Sequence, residues 1–335
     1  MFKSTVRTTF ATIFFLLPIL ISQAHDNGEG RRIRRRQSNE CDLFKGRWIM
    51  DSSYPVYNGS ECPFVDPGLN CQKNGRDDTM YLKFRWQPQG CALARFSGKR
   101  FLRQNRGKKI MFVGDSLSSN QWQSLACMLY HTVPSSKHTF TRQGSLSNLS
   151  FPEYGVSIMY LKNGFLIDLV VEKQGRVLKL DSISRYGKWE GVDVLIFNSY
   201  HWWTHSGSLQ TWDYYQVGEE IYKEMARMEA YKIALTTWAK WVDSNINPTR
   251  PESFSKEFPP FTMRERIGTS QMSGLVKGKL YQSADNITPG KDTRDNKKDG
   301  HPSIYGDEGR DCSHWCLAGV PDTWNQILYN ILLKK

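Results

Sequence analysis

The chain has 335 residues, a formal net charge of +12 at pH 7 and 39% hydrophobic residues. This length is enough for one full α/β core and a small appended module. The positive charge suits nucleic acid, an acidic membrane or an acidic polysaccharide. Because the sequence contains no zinc-finger, RNP-like or helix-turn-helix signature, we expect no nucleic-acid partner.

The N-terminus has the pattern of a secretory signal. Lys3 and Arg7 precede an apolar run over residues 10–21, and small residues follow at positions 22–24. This predicts a signal peptide over residues 1–24. The alternative is a type II signal anchor, but a membrane span needs about 20 apolar residues. Arginines in the basic linker, residues 25–40, also lie on the luminal side, which disfavours an anchor.

Cysteines predict disulfides rather than a metal site. There are seven, so at least one lacks an intramolecular partner. No second pair stands at zinc-ligand spacing, and disulfides are typical of secreted chains, so no metal is expected. The disulfide candidates are Cys41, Cys62, Cys71, Cys91, Cys127, Cys312 and Cys316.

Residues 41–97 are predicted to form a small Cys-rich N-terminal module, since they are rich in Cys, Pro and Gly and have few periodic runs. Within them, Arg85 and Trp86 either line a substrate groove or, for the tryptophan, fill the core. Glycosylation sequons at Asn58 and Asn148 are expected on luminal loops.

The most informative stretch is residues 109–120. Its apolar run, residues 110–113, predicts a strand buried on both faces, and residues 119–130 have the pattern of an amphipathic helix. Ser116 would therefore lie in a tight strand-to-helix turn fixed by Asp115. Helix N–H groups there point at developing negative charge, which suits a nucleophilic serine. The alternative role for this serine is a helix N-cap.

Further strands are predicted at residues 156–161 and 165–171, as a hairpin turning at Asn163, and at residues 192–197. Residues 219–243 predict one long amphipathic helix whose apolar stripe packs in the core. That stripe consists of Ile221, Met225, Met228, Leu235, Trp238 and Val242.

Polar residues that could complete a site follow the strand at 192–197, at the sheet edge where α/β folds place their sites. Asn198 is a candidate oxyanion donor beside the backbone N–H of Ser116. Near the C-terminus, Asp311 precedes His314 by three residues, a spacing that lets a carboxylate orient an imidazole. The predicted catalytic residues are therefore Ser116, Asp311 and His314. Weaker candidates for sugar contact are His201, Trp202 and Trp203, and a structural histidine is the alternative for His201 and His205.

Several blocks together resemble the plant trichome birefringence-like family, which combines a powdery-mildew-resistance-type N-terminal domain with a PC-esterase domain. The resemblance covers residues 41–248 and 299–333. The blocks are Cys41-Asp-Leu-Phe-Lys-Gly-Arg-Trp48, Tyr81-Leu-Lys-Phe-Arg-Trp-Gln-Pro88, Gly114-Asp-Ser-Leu117, Phe197-Asn-Ser-Tyr-His-Trp-Trp203 and Asp311-Cys-Ser-His-Trp-Cys316.

The resemblance implies an α/β fold of the SGNH/GDSL-hydrolase type, a three-layer sheet with helices on both faces, over residues 98–333. It also implies one or two disulfides between this domain and the N-terminal module. The family usually has Gly where this chain has Tyr200. A glycine there would allow close backbone approach.

Residues 249–297 depart from the resemblance and look irregular, with much Pro and charge. The family continues here with Phe-Phe-x-x-Ile-Ser-Pro-x-His. Codons can be chosen for residues 249–279 so that reading two bases later encodes that motif. We therefore hypothesise that the gene model is frame-shifted or mis-spliced over this segment. Genomic sequence tests the hypothesis.

The expected function is O-acetylation of a plant cell-wall polysaccharide, pectin or a hemicellulose such as xylan, by a double displacement. A polysaccharide acetylesterase and a non-catalytic pectin-binding bridging protein are the alternatives. No bound cofactor is expected, but an acetyl donor is required. The expected location is the Golgi lumen, with membrane association if the anchor is retained, or the cell wall.

Overall fold

The computed structural model describes residues 41–184, 188–245 and 314–333. Several sequence predictions therefore lie outside the described residues. These are the signal peptide, the linker 25–40, the segment 249–297, Asp311 and Cys312.

A five-stranded sheet in the order β4–β5–β6–β3–β9 forms the centre of the fold. Strand β3 (Lys109–Gly114) lies between β6 (Val156–Lys162) and β9 (Val194–Asn198) and is parallel to both. The hairpin of β4 (Thr139–Gln143) and β5 (Leu146–Phe151) extends the sheet by antiparallel pairing to β6. The continuous apolar run of β3 is buried on both faces, as predicted from the sequence.

Helices cover both faces of this sheet. Alternate residues of β3 point to opposite faces, so Ile110 and Phe112 share a cluster with Trp122 of α2 (Ser116–Thr132). Met111 and Val113 instead share a cluster with Trp238 of α3 (Arg227–Asn245). Helices α1 (Gly98–Gln104) and α4 (Val320–Leu333) contribute to the same cluster as α2. The predicted three-layer architecture is confirmed.

A second sheet of four strands has the order β11–β10–β8–β7. Its strands are β7 (Asp168–Glu172), β8 (Gly175–Lys179), β10 (Tyr214–Val217) and β11 (Glu220–Tyr222). The predicted hairpin at Asn163 is therefore wrong. Both edges of β6 are already taken, by β5 and β3, so the next strand pairs with β8 instead.

The helix predicted over residues 219–243 does not include its first eight residues in the structure. Gly218 has φ +58°, a left-handed conformation that suits a hairpin turn, and it joins β10 to β11. Ile221 is consequently 47% exposed on an edge strand, and α3 starts only at Arg227. Met228 is also exposed, whereas Leu235 of the predicted stripe is buried.

The N-terminal module contains a two-stranded sheet of β1 (Gly46–Met50) and β2 (Phe84–Pro88) and short 3-10 helices at Gly59–Glu61, Pro67–Leu69 and Met80–Lys83. Cys41–Cys91 closes the module on itself. Cys62–Cys127 and Cys71–Cys316 join it to α2 and to the segment before α4. The expected bridges between the two parts are confirmed.

The two sequons differ in setting. Asn58 is exposed and precedes a 3-10 helix, where its side-chain oxygen accepts the N–H of Ser60. Asn148 lies within β5 between two paired strands, and its side chain is half-buried. The expectation that Asn148 lies on a loop is therefore wrong.

Candidate active site

The turn after β3 is built for close approach of two strand ends. Gly114 is in register with Asn198 at the end of β9. A Cβ at this glycine would collide with the carbonyl oxygen of Asn198 and with Ser118 Oγ. Glycine therefore lets the chain turn into α2 directly beside β9.

Asp115 is the N-cap of α2 and is fully buried. Its Oδ1 accepts the N–H of Leu117 at 2.9 Å and the side-chain amide of Asn198 at 3.0 Å. Tyr160 Oη donates to the Asp115 carbonyl oxygen at 3.1 Å. The structure thus gives the capping role to Asp115, and Ser116 is the first helical residue, half-buried, with its hydroxyl not needed as the cap.

Asn198 lies beside this turn, as the sequence predicted. The Asn198 amide nitrogen carries two hydrogens, and one of them is donated to Asp115. In the first turn of α2, Leu117, Ser118 and Ser119 donate their N–H groups to Asp115, which leaves the N–H of Ser116 itself. The Ser116 N–H and the Asn198 amide are donors of the type that can stabilise an oxyanion formed at the serine.

The residue that follows His314, Trp315, is hydrogen-bonded to helix α2. Trp315 donates its N–H to Asn120 Oδ1 at 2.9 Å and accepts from Asn120 Nδ2 at 3.1 Å. Trp315 also shares an apolar cluster with Leu117. The residue next to His314 thus contacts the first two turns of the helix that begins at Ser116. The sequence reasoning missed Asn120, although a polar residue within a predicted amphipathic helix was a usable signal.

Three histidines come together beside this helix end. The ring of His201 lies 6.3 Å from that of His314 and 5.1 Å from that of His205, measured between centroids. All three are half-buried. The residues after β9 are therefore part of the site region, as predicted from their position at the strand end.

The two tryptophans after β9 differ. Trp202 is half-buried, packs against Gly164 and has the ammonium of Lys162 5.5 Å from its ring centroid. Trp203 is buried and donates to Ser199 Oγ at 3.2 Å. Trp202 can therefore face a ligand, whereas Trp203 is part of the core that supports the site.

Arg85 and Trp86 lie in β2 of the N-terminal module. Trp86 is 1% exposed and donates to the Leu43 carbonyl oxygen at 2.9 Å. Arg85 forms an ion pair with Asp51 at 2.9 Å. Trp86 therefore fills the core and does not line a groove, because a side chain so deeply buried cannot contact a polysaccharide.

Tyr200 replaces the glycine that the resemblance leads one to expect, and the backbone tolerates it. Its φ is 175°, which is extended backbone open to any residue. Its side chain is 45% exposed, and its ring lies 5.7 Å from that of Tyr231. This departure therefore changes the surface beside the site without requiring a different chain path.

Two family models match the chain. Residues 93–273 and 286–331 match PC-Esterase, described as a GDSL/SGNH-like acyl-esterase family found in Pmr5 and Cas1p. Residues 39–92 match the PMR5 N terminal domain. The chain belongs to the trichome birefringence-like family. It is an acyl-transferring enzyme of the PC-esterase type.

Relatives in Arabidopsis thaliana match over nearly the whole length. Protein trichome birefringence-like 42 is 46% identical, over 96% of this chain and 98% of the relative. Protein trichome birefringence-like 41 is 46% identical over 95% of each, and trichome birefringence-like 39 is 44% identical over 94% of this chain and 92% of the relative.

The three disulfides are typical of a protein of the secretory pathway rather than the cytoplasm. Within the described ranges, no helix has both the length and the apolar character that a membrane span requires.

Proposed function

We propose that this chain is an O-acetyltransferase of cell-wall polysaccharide, pectin or a hemicellulose such as xylan, acting in the Golgi lumen or at the cell wall. Ser116 is the nucleophile and His314 the general base. Asp311, which lies outside the described residues, orients that histidine. The observation that carries the proposal is the hydrogen-bonded pair of Asn120 and Trp315, which joins the histidine segment to the helix that begins at Ser116.

The reaction has two halves. His314 takes the proton of Ser116 Oγ as that oxygen attacks the acetyl carbonyl carbon of the donor. The oxyanion is stabilised by the Ser116 N–H and the Asn198 amide, and the donor's leaving group departs with the proton. His314 then takes a proton from a sugar hydroxyl, whose oxygen attacks the acetyl-serine. Collapse of that intermediate releases the acetylated sugar and returns the proton to Ser116.

Cationic side chains beside the nucleophile favour an acidic acceptor. Lys162, exposed at the end of β6, is in register with Gly114. Its N–H donates to Ser145 O, and the exposed Lys188 reaches the hydroxyl of the same serine at 3.4 Å. Neither lysine forms an ion pair with a carboxylate among the described residues. These charges would attract the carboxylates of pectin.

The alternatives use the same surface differently. An acetylesterase would employ the same serine and histidine with water as the acceptor. The two enzymes would therefore differ in how well the groove that binds the acceptor excludes water. A bridging protein would bind pectin without chemistry. The capped serine turn beside His314 favours catalysis over bridging.

The test compares the chain as given with a version whose residues 249–279 are replaced by the alternative-frame peptide. Each is incubated with p-nitrophenyl acetate and deacetylated pectin or xylan oligomers, and product mass is measured. We expect acetyl gain with the replaced version, lowered at least about 1,000-fold by Ser116→Ala. Acetate release from acetylated polymer without transfer would indicate the esterase instead. Polymer retention that survives Ser116→Ala, without either activity, would indicate the bridging protein.

A further inference from the structure

We infer that Asn120 is a positioning residue that holds His314 in line with Ser116. The inference rests on the proposed function, because it assigns a reason for the alignment of the proposed nucleophile and base. Asn120 is fully buried, and its side chain makes hydrogen bonds to both backbone groups of Trp315, the residue after the histidine.

The geometry explains why this position controls alignment. Asn120 follows Ser116 by four residues, so both side chains lie on one face of α2, about 5–6 Å apart at Cβ. A pair of bonds to one backbone unit fixes its orientation as well as its distance. The histidine's backbone therefore takes its position from the helix that presents the nucleophile.

The amide group suits this task. It donates to the Trp315 carbonyl oxygen at 3.1 Å and accepts from the Trp315 N–H at 2.9 Å. A carboxylate could only accept, and an alkyl side chain could do neither. Asparagine therefore satisfies two buried backbone groups that would otherwise cost free energy.

Other contacts keep the same segment attached when Asn120 is removed. Cys316 is bonded to Cys71, Leu317 donates its N–H to Leu69 O at 2.9 Å, and Gly319 donates to Asp322 Oδ2 at 3.0 Å. These contacts hold the segment to the N-terminal module and to α4. Loss of Asn120 should therefore shift the histidine rather than release the segment, and the effect should appear in the rate more than in the fold.

The experiment uses the full chain, in the version active in the transfer assay, and measures hydrolysis of p-nitrophenyl acetate as a reporter of Ser116 acylation. We expect Asn120→Ala to lower kcat about 100-fold with little change in KM, since a misplacement of about 1 Å can cost that much. The matched control is Asn325→Ala. Asn325 is also buried and ties α4 to α2 through Gln121 O at 2.9 Å and Ser124 Oγ at 2.8 Å.

The control separates alignment from stability. Both variants remove buried amide bonds at α2, so we expect comparable losses of Tm, but only Asn120→Ala should lower kcat. A second readout is a double-mutant cycle with His314→Ala. Because Asn120 acts through the histidine, Asn120→Ala should cause no further loss in that background.

Equal kcat for the two asparagine variants, or an additive loss in the His314→Ala background, would overturn the inference. Those outcomes leave the proposed function intact, provided that Ser116→Ala and His314→Ala each lower the rate. If neither of the latter changes the rate, the proposed function itself is wrong.

Discussion

The two halves of the site are held in different ways. Ser116 follows β3, which is paired on both sides by β6 and β9, so the sheet backbone fixes the nucleophile. His314 begins the segment 314–319, which has no helix or strand of its own and is held by a disulfide and by side-chain hydrogen bonds. We call the β3–α2 turn with Ser116 the nucleophile half and the segment 314–319 the histidine half. The nucleophile half should unfold only with the whole sheet, whereas the histidine half depends on a few long-range contacts.

The largest effect should come from removing the disulfide that holds the histidine half. Replacing Cys71 and Cys316 together with Ser should lower the free energy of unfolding by about 2–5 kcal/mol. It should also lower esterolytic activity at temperatures where circular dichroism still reports a folded sheet. The control pair, Cys41 and Cys91, closes a separation of 50 residues within the N-terminal module. If the two double variants lose the same activity when compared at matched stability, the Cys71–Cys316 disulfide has no local role in holding His314.

Asp322 also holds the histidine half, through its bond to Gly319. Its buried carboxylate accepts hydrogen bonds from Ser124 at 2.6 Å, Tyr57 at 2.9 Å and the N–H of Gly319 at 3.0 Å. Burial outweighs these bonds and raises the pKa of Asp322 from 3.8 to about 6. Between these values the native state binds more protons than the unfolded state. This carboxyl therefore lowers stability as pH rises through that window.

Asp322→Asn should remove that slope. The shift of about two pKa units corresponds to about 3 kcal/mol. The difference in the free energy of unfolding, variant minus wild type, should therefore increase by up to about 3 kcal/mol between pH 4 and pH 6. Urea unfolding at several pH values measures it. The control is Asp213→Asn, because the exposed Arg176 partner lowers the pKa of Asp213 to about 2, outside the window. A parallel pH dependence in wild type and Asp322→Asn would show that this carboxyl does not titrate there.

The same contrast explains what the sequence could predict. The β3–α2 turn was predictable because an apolar run, a glycine and a helical pattern lie within a few consecutive residues. The histidine segment was predictable only as a spacing between Asp311 and His314. Its partners, Asn120, Cys71 and Asp322, are distant along the chain, and periodicity says nothing about which distant elements meet.

Composition was a weak guide to the aromatic residues. Trp86, Trp202 and Trp203 were all predicted as candidates for sugar contact, but two of them are buried. The predicted hairpin at Asn163 failed for a related reason. A turn signal indicates where the chain bends, not whether the next strand finds a free edge, and β6 has none.

The smallest effect should come from Lys162, which lies beside the turn that holds Ser116. Lys162→Gln removes an exposed charge beside the Ser116 turn and no ion pair among the described residues. It also removes the contact with the Trp202 ring, so stability should fall by no more than about 1 kcal/mol. The KM for oligogalacturonide should rise about 2- to 5-fold, the scale of an exposed charge interaction, and the effect should fade with salt. The KM for neutral xylan oligomers should stay constant.

The control for this variant is Lys99→Gln, which removes an exposed charge from α1. Both variants change the net charge equally, so a general attraction of pectin to a basic protein would raise the two KM values alike. An increase confined to Lys162→Gln, and to the acidic acceptor, requires contact at the end of β6. If the neutral acceptor is affected as strongly, Lys162 acts by packing on the Trp202 ring instead. In either case the nucleophile half of the site tolerates the substitution, because the sheet and not this side chain holds Ser116 in place.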